Sequence, residues 1–300
     1  MIEKLLKNLF DFEREETAGE ILIYRFFELV VVYWTINYAW RWGPYLSRLK
    51  DTVLPLGIAE YVDITFMFNH PLGIINAVLM TVLVLMGFFR IWRYAYLATL
   101  LVFHLHYVAR FSQGEISHGS NMVGTIIFAL AVATLVFEHR REIRRAALGL
   151  TYFFIGSAYT SAALCKLIAT GPTWPHGHHL WMWIQERTVD QFSMTGSIDY
   201  NWLQQLALDH TLIGTAILTV GLLAELFAFL FWYKRTRALA GTMVVGMHIG
   251  IWGVMRLTFS ANTYILLILA YSWPRLIDWG LERLDPAMSE KIKALSLRWT

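Results

Sequence analysis

A single cysteine, Cys165, stands in a chain of 300 residues, so no intrachain disulfide can staple the fold. Charge is scarce too: Asp, Glu, Lys and Arg make up 16% of the residues, against about a quarter in soluble domains. The net charge of +3 is too small to suggest nucleic acid as a partner, and the basic residues are not gathered into one patch. There is no Gly-rich phosphate loop, no H-E-x-x-H pair and no nucleophile elbow. Internal repeats and low-complexity linkers are missing as well. No secretory signal is visible, because residues 1–20 are charged throughout and the first apolar block is long enough to stay in a membrane.

What the chain does have is apolar surface. Hydrophobic residues account for 57% and aromatics for 15%, and the mean hydropathy is +0.47. The apolar residues fall in blocks of roughly 20, the length that crosses about 30 Å of hydrocarbon. Only helices or closed barrels satisfy their backbone there, and barrel-type alternation is lacking. The pattern predicts an all-α, polytopic integral-membrane helical bundle with about eight transmembrane helices. They are expected near 21–40, 73–90, 94–112, 121–137, 146–168, 211–233, 238–256 and 259–275. Residues 1–20 read as an N-terminal interfacial amphipathic helix, with Ile2, Leu5, Leu6, Leu9 and Phe10 at helical spacing beside Lys4 and Lys7. Residues 21–275 form the transmembrane domain. Residues 276–300 form a cytoplasmic tail, in which Lys291 and Lys293 alternate with Ile292, Leu295 and Leu297.

Loop charge orients this bundle. Basic residues concentrate in alternate segments, most densely at Arg140, Arg141, Arg144 and Arg145 and at Lys234, Arg235 and Arg237. The opposite segments hold only Arg41, Arg48, Lys50, Arg110, Arg187 and Arg256. The positive-inside rule therefore puts both termini in the cytoplasm, and the expected location is a bacterial inner membrane. Two outer segments are long, about 41–72 and about 169–210. The second carries Trp174, Trp181, Trp183 and Trp202, the aromatic density of a membrane–water interface, where anchoring alone accounts for any one tryptophan. Its run His179–Glu186 predicts a short interfacial helix.

Ionisable residues inside spans point to function or to structural pairing. Arg25 and Glu28 lie three apart and share a helix face. Glu225, within LLAELFAF, needs a partner, and Arg25 or a histidine on a neighbouring helix is a candidate for the charge pair. His104 and His106 point about 200° apart, so one of them at most faces the interior. His248 lies among small residues in GMHIGIWG and reads either as a satisfied core histidine or as part of a site. Lys166 ends the fifth span. It reads as an anchor that snorkels to the interface, or as a base, since desolvation of an ammonium favours a neutral amine able to take a proton. His118 lies in the loop SQGEISHGSN, where solvation alone explains it. His176, His178 and His179 lack the spacing and acidic neighbours of a metal site, so no metal is expected.

Several of these stretches, in order, resemble one family. SAALCKLIATGPTW followed by Gly177 resembles the lysine-leucine…Trp-x-x-Gly segment of the vitamin K-dependent γ-carboxylase family, whose bacterial relatives are the HTTM (horizontally transferred transmembrane) proteins. LIYRFFELV resembles its first helix with an embedded arginine, and SHGSNMVG resembles the loop carrying a histidine near a quinol site. LLAELFAFL and MHIGIWGVMRLTFSANTY resemble later helices with an intramembrane acid and a histidine. The resemblance covers roughly residues 15–275. It implies Lys166 as the base that starts oxygenation of a vitamin K hydroquinone-like quinol, with His118 as its catalytic partner. It also implies Trp174, His248 and Asn121 as substrate-binding residues. Two departures matter: the stretch between Leu167 and Trp174 is longer than the family pattern, and the family's large luminal domain has no counterpart.

The expected function is then an integral-membrane, carboxylase-like enzyme of carbon–carbon lyase or oxidoreductase type. It would act on a peptide, protein or small substrate, with membrane lipids and a separate soluble domain as candidate partners. The alternative is a non-catalytic maturation or assembly factor for a partner protein or secreted peptide. A transporter ranks last, because inverted repeats and broken helices are not visible.

Overall fold

The computed structural model describes residues 2–69, 71–113, 120–284, 287–288, 290–292 and 294. Among them all regular structure is helical. The helices are α1 (Ile2–Leu9), α2 (Ala18–Leu46), α3 (Leu72–Phe88), α4 (Ala95–Phe111), α5 (Asn121–Val136) and α6 (Arg140–Thr170). They are followed by α7 (Gly177–Thr195), α8 (Trp202–Asp209), α9 (Thr211–Leu226), α10 (Arg237–Met255), α11 (Ser260–Ala270) and α12 (Trp273–Leu284). Three helical stretches are long and apolar enough to cross a membrane: Arg140–Thr173, Thr211–Trp232 and Arg237–Met255. Leu72–Phe88, Ala95–Phe111, Asn121–Val136 and Ser260–Ala270 are apolar but shorter, at 10–17 residues. Lys293, Leu295 and Leu297 of the expected amphipathic tail lie outside the described residues.

Several boundaries differ from the sequence reading, each for an identifiable physical reason. The block expected at 259–275 is divided, with α11 ending at Ala270 and α12 starting at Trp273. Pro274 explains the division: a ring without an N–H is tolerated in a helix's first turn but not in its interior. The block at 211–233 changes from α-helix to a 3₁₀ segment, Phe227–Trp232. There the Thr160 hydroxyl inserts beside the ladder. It accepts the Phe229 N–H at 3.0 Å and lies 3.4 Å and 3.3 Å from the Glu225 and Leu226 carbonyls. The interfacial helix expected at His179–Glu186 extends over all of α7, which Gly196 stops in a left-handed conformation (φ 71°).

The chain divides into two compact units. The amino-half unit comprises Leu9–Thr151 with Ser272–Thr300, and the carboxyl-half unit comprises Met1–Asn8 with Tyr152–Tyr271. In the amino-half unit a capping box starts α2: the Thr17 hydroxyl accepts the Glu20 N–H, and the Glu20 carboxylate accepts the Thr17 N–H, each at 3.2 Å. Further along, α2 and α3 touch backbone to backbone. A Cβ on Gly73 would overlap the Gly43 carbonyl, and one on Gly43 would meet the Gly73 carbonyl at 2.7 Å. Such small-residue contacts are how helices associate where water supplies no driving force. Residues of the segment after α2 fold back on it, so that Leu46, Ile64, Met67, Phe68, Val108 and Ala109 form one buried cluster.

In the carboxyl-half unit α7 approaches α9 at Gly177, where an added Cβ would overlap the Thr211 carbonyl. The Gly177 N–H also donates to the Thr215 hydroxyl at 2.8 Å. Leu180, Ile184, Ala207, Leu218 and Val254 close a core beneath this contact. The result fixes the loop after α6 against α7 and α9.

Candidate functional site

The site in the carboxyl-half unit is built on the last turns of α6. Gly171 (φ 71°) and Pro172 end that helix soon after Lys166 and turn the chain back through the 3₁₀ segment Gly171–Thr173. Trp174 is thereby returned toward Lys166, whose Nζ lies 4.8 Å from the indole centroid. Trp174 is held in turn by its neighbours. Its ring packs on Trp183 at 5.6 Å, and its carbonyl accepts from His179 Nδ1 at 2.8 Å.

Lys166 Nζ donates to Glu225 Oε2 at 2.5 Å. The environments of the two partners are unequal: the lysine side chain is 31% exposed and the glutamate side chain 9%. Glu225 is thus an anion buried in an apolar helix with one cation, and that cation keeps an open edge. Burial makes this carboxylate costly to leave unpaired. The open edge leaves the amine within reach of a molecule approaching Trp174.

One further polar group lies on the same face of α6. Tyr159 precedes Lys166 by seven residues, a separation that returns to within about 20° of the same direction. Its hydroxyl lies 2.7 Å from His248 Nε2 and accepts from Asn262 Nδ2 at 3.3 Å. Tyr159 is also within electrostatic reach of Glu225. His248 and Asn262 are 5% and 7% exposed, yet His248 Nδ1 and Asn262 Oδ1 have no hydrogen-bond partner among the described residues. Buried polar atoms left without partners are uncommon and mark a place for a water or a polar ligand group.

Scans of protein-family models, curated proteins and solved structures return no match to this chain. What the site can do therefore rests on its geometry and chemistry.

Of the residues singled out from the sequence, Lys166, Glu225 and Trp174 come together. His248 stands in the same unit and is linked to α6 by Tyr159. Glu225 takes Lys166 as its partner, and Arg25 takes Glu28, so the expected Arg25–Glu225 charge pair is replaced by two separate pairs. The sequence reads Lys166 as an anchor or a base and does not identify Glu225 as its partner. Asn121 belongs to the amino-half unit, where its Oδ1 accepts from the Tyr107 hydroxyl at 2.7 Å. His118 lies outside the described residues. His106 is fully buried and paired with Asn76 at 2.9 Å, whereas His104 is exposed, as their angular separation on α4 requires.

The three histidines at the start of α7 lie close together, with the His176 and His179 rings 6.4 Å apart edge to face, and each is engaged by its neighbours. His176 Nδ1 accepts the His178 N–H at 3.2 Å, His179 binds the Trp174 carbonyl, and His178 stacks on Trp181 at 5.8 Å. Among the described residues no group of three His, Cys, Asp or Glu is placed to hold a metal ion.

Tyr159, Thr160 and Asn262 were missed by the sequence reading. For Tyr159 the signal was available, since Lys166 minus seven is a polar aromatic on the same helix face.

Proposed function

We propose that the chain is an integral-membrane enzyme of the vitamin K-dependent γ-carboxylase type, in which Lys166 acts as a base and Glu225 as its proton partner. The observation that carries this reading is the Lys166–Glu225 contact of 2.5 Å beside the Trp174 ring. Passing the shared proton to Glu225 Oε2 leaves a neutral amine and a neutral carboxyl, so charge is conserved inside an apolar wall. The amine lone pair at Nζ then takes a proton from a hydroxyl or an activated carbon acid held at the open edge.

A flat aromatic diol fits the residues beside that edge, because Trp174 and Trp183 offer aromatic faces and Lys166 a proton acceptor. A quinol bound there would supply an acidic hydroxyl and reducing equivalents. Trp174 and Trp183 would orient it and exclude water. Lys166 Nζ would hold the proton, and Tyr159 with His248 would extend the polar path along α6. The substrate is then a peptide or small molecule, presented with or without a separate soluble domain. In this reading about eight helices span a bacterial inner membrane with both termini cytoplasmic, and Lys166 sits near the outer face.

Lys166→Arg tests the proposal, because arginine keeps the ion pair with Glu225 but does not release its proton. The variant should insert and fold as the parent does, yet lose activity by about 10²–10⁴-fold in complementation of a deletion strain and in quinol-dependent oxygen consumption. A fully active Lys166→Arg protein would remove the base and leave the assembly-factor reading.

A further inference from the structure

Around Glu28 the amino-half unit gathers more guanidinium groups than that one carboxylate neutralises. Glu28 is fully buried, and both its oxygens are occupied. Oε2 takes Arg25 Nη1 at 2.6 Å, while Oε1 takes Arg90 Nη2 and the Tyr96 hydroxyl, each at 2.7 Å. Arg140, the first residue of α6, stands within electrostatic reach of Arg25, Arg90, Arg144 and Glu28. Arg144 is matched by Glu16 and Arg145 by Glu20. Arg140 makes no ion pair among the described residues. Three guanidiniums thus stand around the single negative charge of one carboxylate.

Two features of the backbone point the same way. Arg140 occupies the start of a helix, where the peptide dipoles and free N–H groups favour an anion and disfavour a cation. Arg90 sits just past α3 at φ 58°, a left-handed position that glycine ordinarily takes. A guanidinium is therefore retained at both places against the local preference. Nearby carboxylates do not relieve the excess. Glu142 lies two positions beyond Arg140, about 200° around the helix, and Glu138 is 3.9 Å from Arg93.

We propose that Arg25, Arg90 and Arg140 bind a phosphate group, the chemistry shared by an anionic phospholipid headgroup and a soluble phosphate ester. Arginine forks match phosphate oxygens in pairs. The start of α6 adds backbone donors, so one bound phosphate would answer both the charge excess and the misplaced cation. The site is separate from the lysine site and does not depend on the carboxylase reading.

The test uses the full chain purified in neutral detergent. Retention of phosphatidylglycerol or phosphatidylcholine is measured by native mass spectrometry, with inorganic phosphate as the soluble competitor. The parent should retain phosphatidylglycerol in preference to phosphatidylcholine, and Arg140→Gln should weaken that retention about fivefold, the effect of one cation near a charged headgroup. Arg141→Gln, which removes an exposed arginine next in sequence, should change it little. Competition by millimolar phosphate would assign the site to a soluble ester, and retention unaffected by phosphate would assign it to lipid. Equal retention of the two lipids without phosphate competition would overturn the proposal. So would equal losses in the Arg140 and Arg141 variants, since both would then report only general surface charge.

Discussion

Glu28 and Glu225 are carboxylates buried in apolar helices, yet the two units hold them in opposite ways. Glu28 is held by three donors: two arginines and a tyrosine hydroxyl engage both its oxygens, and its side chain is fully enclosed. Each cation is itself anchored, Arg25 over the Phe88 ring at 4.5 Å and Arg90 on the Gly87 carbonyl at 2.9 Å. Glu225 has one cation, a lysine, whose stem is flexible and whose edge is open. A carboxylate held between permanently charged guanidiniums receives no proton from them and serves to lock helices together. A carboxylate facing a single ammonium can exchange one. The difference in partner type, arginine against lysine, therefore separates a structural knot from a candidate for chemistry.

The largest effect should come from unmaking the knot. Glu28→Gln leaves Arg25 and Arg90 without their anion and should cost about 3–5 kcal/mol, read as a fall in thermal stability or yield in detergent. Glu225→Gln should cost less stability than this, because Lys166 can turn its exposed end to water. Activity, by contrast, should fall by about 10²-fold or more in that variant. If Glu225→Gln proves the more destabilising of the two, or leaves activity intact, the contrast between the units is wrong.

A smaller change sharpens the comparison within the carboxyl-half unit. Tyr159→Phe removes the hydroxyl shared by His248 and Asn262 and leaves both with a further unpaired buried atom. The expected cost is about 1–3 kcal/mol, with activity reduced but not abolished. An unchanged melting temperature would mean that water already serves these atoms.

The smallest effect calibrates the scale from below. Asp63 is an exposed carboxylate whose hydrogen bonds from the Thr65 side chain and backbone hold it below the usual carboxylate range. Its contribution is present near neutral pH and fades as pH falls through its lowered folded value. Hydrogen exchange at the Thr65 amide should quicken there relative to neighbouring amides, corrected for intrinsic rates, with global stability unchanged by Asp63→Asn. A global destabilisation would show that exposed carboxylates are not neutral in this protein.

The sequence alone determined what depends on composition and short-range spacing. Long apolar blocks with few charges and no barrel-type alternation pointed to helices, and among the described residues all regular structure is helical. The three-residue spacing of Arg25 and Glu28 made them neighbours on any α-helix, and the two-residue spacing of His104 and His106 sent one inward and one outward. Lys166 stood out because a cation at the end of an apolar block is costly. Tertiary structure decided which distant residues met. Lys166 and Glu225 are 59 positions apart and Tyr96 and Glu28 are 68, so neither partner follows from a helical period. The 3₁₀ turn after α9 also depended on a distant group, a threonine hydroxyl from α6, whereas the end of α11 follows from the nearby Pro274 and was legible in the sequence. The physical reason is the same throughout. Periodicity fixes directions within one helix, whereas the cost of a buried charge or an unpaired carbonyl is met by whichever group the packing of other helices brings within about 3 Å.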